Sequence, residues 1–289
     1  MLMQQTSTGN LVVPPPNRRT PVEPTNGLAA LSNLRTFNRY ELKYIADRRL
    51  VTGFREELPA KLDRDPHGLD GFYPVWSTYY DTSDLLFYWE KMEGERFRRK
   101  LRIRHYGNPD ELTAATPVWV EIKQRVNRVT QKRRLSLPYA EALRLCSGAD
   151  PSSCAPEDEH VVEEILVLAN TLRLRPIVTL GYVREAYLGR GQDSGLRLTI
   201  DSRIRGRDRD LHLNTAGENR FFVQPHLSVV EVKVNERVPY WMTEHIARHN
   251  LTLRRISKYC QGVQAYDVAP RSAIHNAHSD DSSLVFANS

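Results

Sequence analysis

The sequence predicts an α+β protein, an antiparallel β-barrel of about eight strands with flanking helices. Three observations carry this. Lys100, Arg102 and Arg104 stand two apart in Arg98-Arg99-Lys100-Leu101-Arg102-Ile103-Arg104, and residues two apart in a strand share a face. The same alternation recurs elsewhere, often with a carboxylate beside the cation. Arg39, Glu41 and Lys43 alternate with Tyr40, Leu42 and Tyr44; Glu121, Lys123 and Arg125 with Val120, Ile122 and Val126; Arg197, Thr199 and Asp201 with Leu196, Leu198 and Ile200; Glu231 and Lys233 with Val230, Val232 and Val234. Finally, the apolar faces of these strands demand burial. The sheet is therefore expected to roll its charged face inward and to pack its outside on helices.

The elements follow in order. Phe37 to Ile45 reads as the first strand, and Asp47 as the N-cap of a helix through about Leu62. Tyr73 to Tyr80 is a strand. It is followed by Asp81-Thr82-Ser83, read as a helix-entry cap, and a short turn containing Leu85 to Trp89. Phe97 to Tyr106, Val118 to Val126 and Lys132 to Leu137 are strands, with Asn108-Pro109-Asp110 in the first intervening loop. Tyr139 to Cys146 reads as a helix. So does Glu157 to Leu172, where Val161, Ile165, Leu168 and Leu172 keep helical spacing. Ile177 to Leu188, Leu196 to Ile204, Phe221 to Val223 and Val229 to Val234 complete the strands, and Pro239 opens a helix through about His249. The last ordered segment contains Arg254, Arg255, Ser257, Lys258 and Tyr259. Residues 1–34, rich in Pro, Thr, Asn and Gln, and the Ser/Asp/Asn-rich residues 270–289 are expected to be disordered, leaving one domain over 35–269.

Composition narrows the function. Among 289 residues, 40% are hydrophobic and 26% charged, ordinary for a soluble globular chain. A net charge of +6 favours an anionic partner. No apolar run spans a bilayer and the N-terminus lacks a signal-peptide pattern, so a cytoplasmic protein is expected. Cys146, Cys154 and Cys260 are read as reduced thiols, and no Cys/His spacing resembles a zinc site. The nine histidines show no catalytic spacing. Trp76, Trp89, Trp119 and Trp241 are read as packing residues.

Local alternatives stay open at several positions. Arg39, Glu41 and Lys43 alone also fit a salt-bridged solvent face. Lys100, Arg102 and Arg104 have no interleaved acid, so pairing within the strand is unavailable and an anion is the expected partner. Arg184 shares parity with Leu180 and Tyr182, so it needs a bulge or strand end to reach the interior. Lys258 lies outside any clear strand. Asp201 is expected to pair with Arg197.

Taken together, Phe37-Asn38-Arg39-Tyr40-Glu41-Leu42-Lys43-Tyr44, Thr78-Tyr79-Tyr80-Asp81-Thr82, Lys100-Leu101-Arg102-Ile103-Arg104, Glu121-Ile122-Lys123, Arg184-Glu185-Ala186-Tyr187, Leu196-Arg197-Leu198-Thr199-Ile200-Asp201, Val230-Glu231-Val232-Lys233 and Ile256-Ser257-Lys258-Tyr259 resemble, in this order, the VTC domain. That domain is the polyphosphate polymerase branch of the triphosphate tunnel metalloenzyme superfamily, and the resemblance runs from about Thr36 to Val268. It implies a tunnel in which the γ-phosphoryl of ATP passes to a polyphosphate chain with Mn²⁺ or Mg²⁺ as cofactor. By position it implies Lys258, Arg102, Arg104 and Arg197 as catalytic groups. Arg39, Lys43, Lys100, Lys123, Arg184 and Lys233 would be the phosphate ligands, and Glu231, Glu121 and Glu41 the metal ligands. ATP and polyphosphate are the expected partners and nucleic acid is not. The alternatives are a triphosphatase or polyphosphatase of the same fold, a binding module without turnover and, third among enzymes, an adenylate cyclase. An arginine-rich lining with few acids favours the polymerase. The family's eukaryotic forms carry an SPX domain and membrane-spanning helices; neither is read here, so regulation through such a domain is not expected.

Overall fold

The structure is a computed structural model that describes residues 40–269 apart from 67–70, 128, 153 and 236. Arg39 and both segments expected to be disordered lie outside the described residues.

The strands are β1 (Tyr40–Asp47), β2 (Leu62–Arg64), β3 (Phe72–Asp81), β4 (Phe97–Tyr106), β5 (Pro117–Val126), β6 (Val129–Pro138), β7 (Arg175–Gly189), β8 (Arg197–Arg207), β9 (Arg220–Phe221), β10 (Leu227–Val234) and β11 (Thr252–Leu253). They form one 11-stranded antiparallel sheet in the order β11-β1-β10-β8-β7-β3-β4-β5-β6, with β2 paired to β7 and β9 to β8. This corrects the expected closed barrel of about eight strands: among the described residues no ladder joins β6 to β11, so hydrogen bonds do not close the sheet. Side chains do bridge the gap. Lys123 on β5 reaches Glu41 on β1 at 3.0 Å, so distant parts of the sheet meet over its inner face.

The flanking helices are α1 (Arg48–Glu57), α2 (Leu86–Met92), α3 (Tyr139–Cys146), α4 (Glu159–Leu172), α5 (Tyr240–Arg248) and α6 (Lys258–Ala265). Asp47 caps α1 by accepting from Arg49 N. The predicted long first helix stops at Glu57, and a 3-10 turn over Leu58–Ala60 turns the chain into β2. Asp81 takes the capping role expected of it, accepting from Thr82 N, Phe87 N and Tyr88 N around the start of α2.

Two apolar layers lie on the outer face, as the alternation demands. Leu101, Ile103, Val118, Val120 and Leu135 pack under α3 and α4. Tyr44, Leu198, Ile200, Val230 and Val232 pack under α1 and α5, where Phe54, Met242 and Ile246 are buried. A third core was not foreseen. Val75, Tyr79, Val178 and Leu180 on the inner face bury against Tyr259 and Val263 of α6. A Cβ at Gly262 would sit 2.8 Å from a Leu180 methyl, so a glycine there lets α6 seat directly on β7.

The β7–β8 ladder shifts register between Gly181 and Val183. Opposite the shift, Arg203 has a left-handed φ of 53°, the mark of an extra residue in β8. Beyond it the parity of β8 reverses. Arg205 turns to the outer face, over the Trp76 ring at 5.5 Å, whereas Arg197, Thr199 and Asp201 share the inner face.

Candidate functional site

The inner face collects charge from the long strands of the sheet and from one helix. Residues directly opposite in a ladder lie on the same face and within contact reach. Lys43 opposes Glu231 and Glu41 opposes Lys233 between β1 and β10. Thr199 opposes Glu231 and Arg197 opposes Lys233 between β8 and β10. Arg184 opposes Asp201 between β7 and β8, while Arg102 lies between Tyr79 on β3 and Glu121 on β5. The seating of α6 delivers Lys258, its first residue, to this surface.

Two carboxylate centres organise these cations. Glu231, 4% exposed, accepts from Lys43 Nζ (3.0 Å), Lys258 Nζ (2.9 Å) and Lys233 Nζ (2.7 Å), with Arg184 Nη2 at 3.9 Å. Beside it, Asp201 accepts both arms of the Arg184 fork at 2.7 Å and lies 2.6 Å from Lys258 Nζ. The second centre is Glu121, 1% exposed. Its Oε2 accepts from Arg102 Nε at 2.7 Å and lies 3.8 Å from Arg104 Nη1, and its Oε1 is 2.5 Å from Lys132 Nζ. Glu41 links the two sides, 2.8 Å from Lys43 and 3.0 Å from Lys123. Hydroxyls complete the set: Tyr79 accepts from Arg102, while Ser77 and Tyr182 accept from Arg104. Lys100 differs from the others. It donates to Ser257 Oγ at 2.7 Å and has no carboxylate contact among the described residues.

Ionisation follows from this packing. Burial opposes the charge on Glu231, but Lys233, Lys258, Lys43 and Arg184 outweigh it and hold the carboxyl well below its usual range. Glu121 is held down in the same way by Arg102, Arg104 and Lys132. Lys43 and Lys258 are raised by their carboxylates despite burial. For Lys233 burial wins, and its pKa falls to about 8. Tyr79 also falls to about 8, because Arg102, Arg104 and Lys100 overcome its burial.

The structure thus brings Lys43, Arg184, Glu231, Lys233 and Lys258 together, and groups Arg102 and Arg104 on Glu121 with Lys123 and Lys100 on the neighbouring inner positions. Arg197 stands apart, paired with Asp65 at 2.9 Å. Three expectations are corrected. Asp201 pairs with Arg184 and Lys258 rather than Arg197, because those two groups reach it from β7 and α6. The Lys100–Arg104 run does find an acid, supplied across the ladder by Glu121, so the lining is not poor in carboxylates. Arg184 does not need to escape the parity of Leu180 and Tyr182. Tyr182 itself faces inward and bonds Arg104, and Leu180 lies under α6.

Sequence reasoning missed Lys132, Tyr79, Tyr182, Ser77 and Ser257 as members of this network. The shared parity of Ser77 and Tyr79 was a usable signal; the reach of Lys132 to Glu121 had none.

Glu41, Glu121 and Glu231 do not converge on one point: among the described residues, the only His, Cys, Asp or Glu trio with ligand atoms within 4.8 Å is elsewhere. Mg²⁺ and Mn²⁺ need only one or two protein carboxylates when phosphate supplies the rest. Glu41 and Glu231 already flank one cation, Lys43 Nζ, and the buried Thr199 hydroxyl opposite Glu231 has no hydrogen-bond partner among the described residues. Such an all-oxygen donor set fits a hard divalent ion.

No helix among the described residues is long and apolar enough to cross a membrane. Residues 38–266 match the family model described as the VTC domain. Over 222 residues the chain is 25% identical to vacuolar transporter chaperone complex subunit 4 of Trypanosoma cruzi (strain CL Brener), a match covering 66% of this chain and 28% of that protein. The chain therefore spans less than a third of that relative. Among solved structures, bh2851 from Bacillus halodurans aligns with 76% of this chain and 95% of its own, at TM-score 0.43 and 16% identity. PH1819 from Pyrococcus horikoshii OT3 aligns with 76% and 96%, at TM-score 0.40 and 12% identity.

Proposed function

The chain belongs to the VTC-domain family, and from that premise we propose that its inner face forms a tunnel in which the γ-phosphoryl of ATP passes to the end of a polyphosphate chain. One observation carries the proposal: Lys43, Lys233, Lys258 and Arg184 crowd a single buried carboxylate, Glu231, on a surface that also presents Lys100, Arg102 and Arg104. The name of the Trypanosoma cruzi relative, a vacuolar transporter chaperone subunit, is in keeping with a polyphosphate-related role.

The residue types suit the chemistry. Phosphoryl transfer asks the protein for positioning and charge neutralisation rather than covalent work. Arginine forks hold pairs of phosphate oxygens, and lysines act as movable point charges. Without substrate, the carboxylates keep these cations in place. An arriving polyphosphate competes with Glu231, Asp201 and Glu121 for the same N–H groups. The terminal phosphate oxygen of the acceptor is already ionised, so no general base is required. That oxygen forms the new bond to the γ-phosphorus, the bond from the γ-phosphorus to the β-γ bridging oxygen breaks, and ADP leaves with the electron pair. Mn²⁺ or Mg²⁺ at Glu231 and Glu41 would supply neutralisation of phosphate oxygens.

Hydrolysis in the same tunnel would call for a carboxylate free to orient water. Glu41, Glu121, Asp201 and Glu231 each contact a Lys or Arg, which favours the polymerase. The test is incubation of the full chain with ATP and Mn²⁺, with polymer length and released phosphate both measured. Long polymer supports the proposal. Free phosphate without polymer would identify a hydrolase, and neither product a binding module.

A further inference from the structure

Away from the inner face, three side chains converge where the end of α1 meets the end of α5. Glu57 is the last residue of α1, His245 lies in α5, and His249 caps α5 four residues later. Residues four apart on a helix are neighbours on its surface. The ligand atoms of all three lie within 4.8 Å of one another.

Hydrogen bonding settles the tautomer of His245. Its Nε2 is 2.9 Å from the Phe54 carbonyl oxygen, which can only accept, so Nε2 carries the proton. In the neutral ring Nδ1 is then an acceptor, yet it faces Glu57 Oε2 at 3.3 Å. An acceptor nitrogen and a carboxylate oxygen this close repel, and a cation between them removes the repulsion. His249 Nε2 lies 3.1 Å from the other Glu57 oxygen. Phe54 holds both rings, stacked on His245 at 4.3 Å and edge-on to His249 at 5.7 Å. An imidazole that donates its far N–H to a backbone carbonyl is the outer support typical of a metal-bound histidine.

We propose that Glu57, His245 and His249 form a binding site for a divalent transition-metal ion of the Zn²⁺ class. The donors are His245 Nδ1, His249 Nε2 and the Glu57 carboxylate. Two imidazoles and one carboxylate make a three-ligand set that leaves a position for water or another ligand. Imidazole nitrogen prefers Zn²⁺ to Mg²⁺ or Mn²⁺, so this site is chemically distinct from the all-oxygen donors of the inner face. The ion ties α1 to α5 over the core they share. Arg248 is its competitor: Nη1 lies 2.9 Å from Glu57 Oε2, and Nη2 lies 3.9 Å from Glu244, toward which the half-exposed side chain turns when the ion takes Glu57.

The test is calorimetric titration of Zn²⁺ into chelator-treated full-length protein, in excess Mg²⁺ to saturate the oxygen sites. Wild type should bind one more Zn²⁺ per chain than His249→Ala or Glu57→Gln, both near the surface and checked for folding by circular dichroism. Any residual binding by these variants at this site should be weaker by at least the roughly 10–100-fold that loss of an outer partner costs. Arg248→Ala should tighten binding. Equal Zn²⁺ stoichiometry and affinity in wild type and His249→Ala, or displacement of the ion by Mg²⁺, would overturn the assignment.

Discussion

Lys43 Nζ lies 3.0 Å from Glu231 Oε1 and 2.8 Å from Glu41 Oε1, so one ammonium joins two carboxylates across adjacent strands. Such a pair is stable only while both members are present. Removing one partner of a buried ion pair costs about 3–5 kcal/mol, because the other charge is left uncompensated.

Glu231→Gln therefore leaves Lys43, Lys233, Lys258 and Arg184 without their common anion. We expect a loss of about 3 kcal/mol in unfolding free energy without ligand. Added triphosphate should recover more stability in the variant than in wild type. Metal-dependent turnover of ATP should disappear. Thermal melts with and without triphosphate, beside an ATP assay, check all three; unchanged turnover would reject Glu231 as the metal-holding group.

Lys258→Met tests the α6 contribution. Asp201 keeps the Arg184 fork and Glu231 keeps Lys43 and Lys233, so the fold should survive. Turnover should fall about 10²–10³-fold, the scale of losing one charge-stabilising donor. A matching wild-type circular dichroism spectrum with undiminished turnover would remove Lys258 from the machinery.

Lys233 should make the proposed reaction pH-sensitive. Burial lowers its pKa to about 8, so it is charged below that pH and neutral above it. Tyr79 becomes a phenolate over the same range, which adds negative charge beside Arg102. Both changes weaken anion binding as pH rises. KM for ATP should climb above pH 8, and Lys233→Arg, which keeps its charge, should climb less. A KM that is flat from pH 7 to 9 in wild type would contradict the titration.

Asp81 and Tyr259 test the architecture separately from the chemistry. Asp81 Oδ2 accepts from Tyr259 OH at 2.5 Å as well as from Tyr88 N, tying α2 to α6. Tyr259→Phe should cost about 1.5–3 kcal/mol, the range for a hydrogen bond to a charged group. Because α6 also carries Lys258, KM for polyphosphate should rise as the helix loosens. Denaturant melts and steady-state kinetics read the two effects.

The charged faces of β1, β4, β5, β10 and the first half of β8 were determined by sequence alone; those of β3 and β7, which carry apolar residues inward, were not. Alternation is a property of one strand, so Glu41 with Lys43, Arg102 with Arg104, Arg197 with Asp201 and Glu231 with Lys233 could be placed together without knowing any neighbour. The caps at Asp47 and Asp81 are equally local. Partners were decided only by the tertiary structure. Glu121 meets Arg102 because β4 and β5 pair in that register, and Asp201 meets Arg184 because β7 lies beside β8. Lys258 enters the site because Gly262 lets α6 settle on Leu180. Neither strand order nor helix docking has a periodicity to read along the chain. Both come from packing between residues far apart in sequence, and so does the open, side-chain-bridged edge that replaced the expected closed barrel.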